Sequence, residues 1–178
     1  MKTIFLTVFF LIGIFSSNAQ QWIQNTTDTT IDFKIKNLGV YVKGTFTEAT
    51  VMSNFNVKNL ADSFINATIK INSIDTKNKK RDAHLLQDDF FDAVKYPDIK
   101  LISTKIEKIS ENNYKLSANL TIKNKTKSVE IPLDIQDDNK SITIRSSFNL
   151  NRRDYNVGGS SWILSNTVKI NVVYKLNK

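Results

Sequence analysis

Cysteine is absent from the 178-residue sequence and histidine occurs once, and both facts restrict the chemistry available to the chain. Without cysteine there is no thiol nucleophile, no disulfide framework and no lipobox cysteine for acylation. A serine hydrolase would depend on His84, although no serine stands in a Gly-x-Ser-x-Gly elbow. One histidine is also too few for an ordinary closed zinc site. We therefore predict no catalytic residue and no metal site, and a hydrolase using His84 is the weakest alternative.

Glycine and proline are scarce as well, with 5 and 2 residues. The chain has no glycine-rich phosphate loop, no dinucleotide fingerprint and no Pro- or Gly-rich linker. Its longest apolar run, Ile4 to Phe15, is too short for a membrane-spanning helix. With Lys2 before it and Ser17-Asn18-Ala19 after it, this run predicts a signal peptide over residues 1–19, cleaved near Ala19. The mature domain is then expected to comprise residues 20–178 and to be periplasmic or secreted.

Basic residues exceed acidic ones by 25 to 17, which gives a formal net charge of +8. The lysines are scattered, and no basic stripe is interleaved with aromatic residues as in nucleic-acid-binding modules. We therefore expect no nucleic-acid partner. The basic residues Lys77, Lys79 and Lys80 are interpreted as a solvated loop, with transient docking on an anionic membrane surface as the alternative.

Period-two alternation of apolar and polar residues dominates the sequence from Trp22 onward and predicts an all-β protein. The clearest case is Tyr114 to Ile122, which a short turn connects to a second alternating run from Val129 to Ile135. About eight strands are predicted. An antiparallel array of this size avoids exposed edges by closing into a barrel that holds one small ligand. A two-sheet sandwich is the alternative architecture.

The segment 78–93 departs from this pattern, because its apolar residues recur at helix-like spacing. They are Leu85, Leu86, Phe90 and Phe91. Tyr96-Pro97 should end the helical stretch, since the residue before a proline is disfavoured in the α conformation. We therefore predict a short helical segment around residues 78–93.

Seven of the 11 phenylalanines follow the predicted signal peptide. The simplest interpretation of positions such as Phe64 and Phe148 is a filled barrel core, so a ligand cavity needs independent support. That support comes from motifs in a fixed order: Ser73-Ile74-Asp75-Thr76, Arg81-Asp82-Ala83-His84-Leu85, Asp89-Phe90-Phe91-Asp92, Tyr96-Pro97, Leu120 to Lys127, and Asn151-Arg152-Arg153-Asp154-Tyr155. Together they make the sequence resemble the YceI-like family from Trp22 to Tyr174.

The resemblance implies an extended lipocalin-like antiparallel β-barrel that binds a polyisoprenoid or isoprenoid quinone in an apolar channel, without a covalent cofactor. It also implies a binding protein rather than an enzyme, and homodimers occur in the family. Asn124 and Asn156 stand where the family usually has glycine, and Asp28-Thr29 stands where His-Ser is common. A structural or interaction barrel of an envelope stress response, without a stoichiometric ligand, is the alternative function.

On this fold, inward and helical apolar positions are predicted to line the channel: Phe33, Ile35, Phe46, Ile69, Ile71, Leu85, Phe90, Phe91, Leu120 and Ile122. Arg81, Asp82 and His84 have two interpretations. They either clamp a polar headgroup at the channel mouth or brace the helix against the barrel. We favour the brace because Arg–Asp pairs commonly act as structural hydrogen-bond hubs.

Overall fold

The computed structural model describes residues 23–24, 28–138 and 140–177, so the predicted signal peptide lies outside the described residues. Within these ranges eleven strands form one antiparallel sheet. They are β1 (Ile23–Gln24), β2 (Thr30–Asn37), β3 (Val40–Phe46), β4 (Ala49–Ser53), β5 (Ile65–Lys70), β6 (Ile74–Asp75), β7 (Asp98–Lys108), β8 (Asn113–Ile122), β9 (Lys125–Asp138), β10 (Ser141–Asn151) and β11 (Leu164–Asn177).

Ten strands follow the order β4-β5-β7-β8-β9-β10-β11-β2-β3-β6, and β1 pairs with the end of β11. The sheet curls into a half-barrel, which confirms the predicted all-β class. The eight predicted strands correspond to the longer strands of this order. The three additional strands, β1, β4 and β6, have two to five residues, and runs this short carry too little alternation to be recognised.

The alternation of β8 shows how the sheet obtains its two faces. Every second side chain of this strand is buried: Tyr114, Leu116, Ala118, Leu120 and Ile122. The residues between them face outward, because successive side chains of a strand point to opposite faces. The same period in the other long strands lines the concave side of the sheet with apolar groups.

The hairpin between β2 and β3 turns at Leu38 and Gly39, which both have positive φ, at 50° and 79°. Two consecutive residues of this kind form the tight hairpin turn that matches the twist of the flanking strands. Asn37 and Val40 pair directly across it. The connection between β2 and β3 is therefore a two-residue turn.

Helix α1 (Lys79–Leu85) is shorter than the predicted helical segment 78–93. It begins where the Asn78 side chain accepts a hydrogen bond from the Arg81 backbone N–H at 3.0 Å. Beyond Leu85 the chain forms successive turns, in which the Phe91 N–H donates to the Leu85 carbonyl at 3.1 Å. These turns bring Phe90 and Phe91 against the sheet. The helix therefore ends at Leu85, because these two side chains pack against the sheet instead of continuing the helix. No helix in the described ranges is long and apolar enough to cross a bilayer.

Candidate functional site

A cavity of about 550 Å³ lies inside the curled sheet. The residues that line it are mainly aliphatic and aromatic and come from inward positions of most strands, among them Ile31 of β2, Leu120 of β8 and Ile170 of β11. Small-molecule sites usually have volumes of about 300–1,000 Å³ and mostly apolar walls. The cavity therefore has the size and surface of a site for an apolar ligand.

One end of the cavity is closed by a group of buried residues that we call the floor cluster. Its members are Phe55, Ile65, Ile106, Tyr114, Leu116, Ala118, Ile131, Leu133, Ile135, Ile142, Ile144, Tyr174 and Leu176. The Phe55 ring, from the segment between β4 and β5, packs edge-on against Tyr114 with centroids 5.5 Å apart. This contact seals the end of the sheet with a residue that belongs to no strand.

The opposite end is open, and we call it the mouth. Several of its lining residues are solvent-exposed, including His84 after the first turn of α1, Ser160 in the loop before β11, and Ile163, which is 53% exposed. The lining residues at the floor, by contrast, are buried. The cavity is thus a one-ended pocket between α1, the loop before β11 and the β2–β3 hairpin.

Aromatic rings form a connected series along the wall. The rings of Phe33 and Phe46 have centroids 5.7 Å apart, and Phe46 meets Phe91 nearly edge-on at 6.2 Å. Gly44 pairs with Phe33 across β2 and β3, and a Cβ atom placed on Gly44 would overlap the Phe33 ring. Glycine at this position is what allows Phe33 to lie flat against the neighbouring strand.

Nine of the ten residues predicted to line the channel are on the cavity wall: Phe33, Ile35, Phe46, Ile69, Leu85, Phe90, Phe91, Leu120 and Ile122. Ile71 is the exception. It begins a 3-10 turn, Ile71–Ser73, and is fully buried against Ile99 and Tyr155 rather than on the wall. Strand β5 ends at Lys70, so the period-two rule no longer applies to Ile71. Ligand contact by the nine remains a prediction.

Arg81 and Asp82 both hydrogen-bond to Thr76, which is 4% exposed. The Arg81 guanidinium donates to the Thr76 hydroxyl and to its carbonyl, each at 2.7 Å. Asp82 accepts from the Thr76 N–H at 2.9 Å and from the Thr76 hydroxyl. Arg81 also borders the cavity. This geometry fits a brace that fixes α1 to the segment before it.

His84 lies at the mouth and contacts Asp89 and Phe90. Its Nε2 is 3.1 Å from a carboxylate oxygen of Asp89, and its ring packs edge-on against Phe90 with centroids 5.0 Å apart. Both side chains of this pair are more than half exposed. Across the described residues no group of three His, Asp or Glu side chains is placed to hold a metal ion.

Arg152 is a central residue of the mouth that the sequence patterns did not single out. It is 5% exposed and lines the cavity. Its guanidinium donates to five acceptors, which are the carbonyls of Val157, Gly159, Leu164 and Ser165 and the side-chain oxygen of Asn166. Burial lowers the pKa of Arg152 below its usual range, and the charge of Arg153 adds to this effect. The available sequence signal was its position in the motif Asn151-Arg152-Arg153-Asp154-Tyr155.

Two buried tyrosines were also not identified as cavity residues. Burial raises the pKa of Tyr155 to about 12, with a smaller contribution from the charge of Asp154. Tyr174, at the floor, has its pKa raised further by burial alone. Its hydroxyl has no hydrogen-bond partner within the described ranges. For Tyr174, the sequence signal was the alternating run Val168, Ile170, Val172, Tyr174 in β11.

The sequence matches the model of the YceI-like domain over residues 22–176. A UPF0312 protein of Photorhabdus laumondii is 36% identical over 111 residues, which cover 62% of this chain and 57% of that protein. This chain therefore spans less than two thirds of the length of that relative. A UPF0312 protein of Pseudomonas savastanoi pv. phaseolicola is 31% identical over 136 residues, which cover 72% of this chain and 71% of that protein.

Solved structures share the fold. BcnA of Burkholderia cenocepacia superposes with a TM-score of 0.82 at 24% identity, over 86% of this chain and 99% of that chain. A Campylobacter jejuni YceI protein has a TM-score of 0.71 at 32% identity, over 77% and 85%. A polyisoprenoid binding domain from Saccharophagus degradans has a TM-score of 0.71 at 15% identity, over 88% and 97%. With a family match across almost all of its described residues, this chain belongs to the YceI-like family.

Proposed function

We propose that this protein binds one long-chain apolar or amphiphilic lipid in the cavity and carries or stores it. The observation that carries the proposal is the apolar cavity of about 550 Å³, closed at the floor and open at the mouth. A barrel with a purely structural role is expected to fill its interior with side chains, because protein interiors are close-packed. The retained volume therefore supports a ligand-binding role over a structural one.

A polyisoprenoid or an isoprenoid quinone is the ligand class that we infer. Membership of the YceI-like family supports this class, as does the description of the Saccharophagus degradans domain as polyisoprenoid binding. The series Phe33, Phe46 and Phe91 provides aromatic faces along the wall for a branched, unsaturated chain.

Burial of the chain can supply the affinity without a strong polar contact. Each methylene moved from water into an apolar site contributes about 0.8 kcal/mol, so roughly twenty carbons contribute on the order of 16 kcal/mol. Association costs about 4–15 kcal/mol in lost freedom of motion. The cavity should therefore select ligands by chain length and width more than by headgroup.

The polar residues at the mouth support a binding protein rather than an enzyme. Arg81 and Asp82 direct their hydrogen bonds to Thr76, which supports the brace over a headgroup clamp. His84 contacts Asp89 and Phe90, and this pair is open to solvent. We infer that a headgroup remains at the mouth in contact with water, while the chain occupies the cavity.

We further infer that the protein acts in the periplasm or outside the cell, since residues 1–19 have the pattern of a signal peptide. A homodimer is the oligomeric alternative to a monomer. Light scattering of the mature protein distinguishes the two states.

Native mass spectrometry of the mature protein purified from its own host, followed by organic extraction, tests the proposal. The expected result is one lipid per protein with an isoprenoid mass ladder. Protein that is bare, and that also fails to bind added quinones and polyprenyl phosphates, would contradict lipid carriage and favour an interaction role.

A pair of variants on β11 links the ligand to the cavity. Ile170→Trp places a large ring inside the cavity, whereas Lys169→Trp places the same ring on the exposed outer face. We expect Ile170→Trp to lose most of the bound lipid and Lys169→Trp to retain it, with both variants showing wild-type circular dichroism. Equal lipid content in the two variants would place the ligand outside the cavity.

A further inference from the structure

Large apolar side chains are exposed beside the mouth. Leu38 lies in the turn of the β2–β3 hairpin and Val40 follows it, and they are 70% and 69% exposed. Trp162, in the loop before β11, is fully exposed. Tyr41 and Ile163 are exposed by more than half. We call these five residues the rim surface. Exposed apolar clusters of this kind mark interaction sites on soluble proteins.

The hairpin tip and the loop form one continuous surface. The Leu38 N–H donates to the Ile163 carbonyl at 2.8 Å, and Leu164 pairs with Asn37 in the sheet. Asn37 and Ile163 also line the cavity. The rim surface therefore borders the opening through which a ligand enters and leaves.

Leu38 combines an unusual backbone conformation with an exposed side chain. Its φ of 50° lies in the left-handed region, where asparagine or glycine is normally favoured. Leucine at this position accepts backbone strain and at the same time exposes its side chain to water. Neither feature contributes to the buried core of the protein.

Cations flank the apolar residues of the rim. The Nζ atoms of Lys34 and Lys36 lie 4.9 and 5.8 Å from the centroid of the Tyr41 ring, and Lys43 is exposed on the same pair of strands. The whole chain carries a formal charge of +8. Tryptophan and tyrosine beside lysine are typical of the interfacial region of a bilayer, where anionic headgroups attract the cations.

We propose that the rim surface docks on an anionic lipid bilayer, with Leu38 and Trp162 entering the headgroup region and the mouth facing the membrane. Docking on a bilayer gives the lipid a route between the membrane and the cavity. This purpose of docking rests on the proposed lipid-binding function. Docking itself needs only the rim surface. It can therefore be measured whether or not the cavity is occupied.

Vesicle flotation tests the proposal with the mature wild-type protein. It should float with vesicles of equal parts phosphatidylethanolamine and phosphatidylglycerol and should not float with pure phosphatidylcholine. The double variant Leu38→Ser/Trp162→Ser should bind the anionic vesicles at least tenfold more weakly, which corresponds to about 1.4 kcal/mol. Ile109→Ser is the matched control, because Ile109 is 65% exposed in the turn after β7, at the floor end.

Two further variants separate insertion from charge attraction. Trp22→Phe leaves Trp162 as the single tryptophan, and its emission should shift to shorter wavelength when anionic vesicles are added. Lys34→Gln/Lys36→Gln should reduce the preference for anionic over neutral vesicles while the emission shift at saturation persists.

Equal flotation of the wild-type protein and Leu38→Ser/Trp162→Ser would overturn the proposal. A concentration-dependent dimer that shields Trp162 without vesicle binding would also overturn it and assign the rim to a second copy of the chain. Organic extraction separates the two functions. Retained lipid with lost flotation in the double variant supports docking by the rim, whereas a lipid-free wild-type protein that still floats contradicts only the proposed lipid carriage.

Discussion

The floor and the mouth of the cavity are held together by different forces. At the floor, apolar side chains from strands and from Phe55 pack into one buried cluster. At the mouth, Arg81 and Arg152 direct hydrogen bonds to Thr76 and to loop carbonyls. The hydrophobic effect is non-directional, whereas hydrogen bonds fix the position of specific groups. A sealed end can thus be built from apolar bulk, while an open end needs directional contacts to keep its shape.

The largest expected effect comes from a cavity created within the floor cluster. Ile142→Ala removes a side chain that is 2% exposed, and the free energy of unfolding should fall by about 3 kcal/mol because lost burial and the new void add together. Denaturant titration of lipid-free protein measures this change. Thr143→Ala, on the opposite face of β10, should cost less than about 1 kcal/mol. Similar losses in the two variants would argue against a packed floor.

At the mouth, Arg152→Met should lower the free energy of unfolding by about 2 kcal/mol, because four carbonyls and an amide oxygen lose their donor. Amide hydrogen exchange should accelerate over residues 157–165 and remain unchanged in β8. Arg153→Met is the control, since Arg153 is exposed and its side chain donates to the Gly158 carbonyl. Faster exchange throughout the sheet would show that Arg152 supports the whole fold instead.

Removal of the brace at α1 should have a smaller effect. Arg81→Ala is expected to lower the free energy of unfolding by about 1 kcal/mol, because two hydrogen bonds to Thr76 are lost at a half-buried site. Bound lipid, measured by extraction, should remain at the wild-type level. Lys80→Ala, on the exposed side of the helix, serves as the control. A stable Arg81→Ala protein that loses its lipid would instead identify Arg81 as a headgroup clamp.

The smallest change in the free energy of unfolding is expected at the floor, where a substitution should not lower stability and can raise it. Tyr174→Phe removes a buried hydroxyl that lacks a hydrogen-bond partner among the described residues. Thermal unfolding of lipid-free protein should show unchanged stability or a gain of up to about 1 kcal/mol, since a buried unpaired polar group is costly. A loss of more than about 1 kcal/mol would show that the hydroxyl is hydrogen-bonded in solution.

Most of the fold was predictable from the sequence, because the period-two rule is local and the long strands obey it. Tyr114 to Ile122 alternates without interruption, and its inward residues are the buried ones. The rule failed where tertiary contacts override local pattern. The predicted helix around 78–93 ends at Leu85, since Phe90 and Phe91 turn toward the sheet.

The candidate site was only partly predictable. Inward strand positions such as Phe33 and Leu120 follow from alternation, and both lie on the cavity wall. The role of Arg152 depends on carbonyls five to thirteen residues away, in the loop before β11 and at the start of that strand, and no local pattern encodes such contacts. Ile71 was misplaced because its strand ends one residue earlier.

The acceptors around Arg152 have a consequence for behaviour in acid. Backbone carbonyls and the Asn166 amide do not titrate, so protonation cannot remove any of the five hydrogen bonds that shape the loop. The loop side of the mouth should therefore keep its hydrogen-bonded shape when the solution is acidified, whatever happens to the carboxylates elsewhere in the molecule.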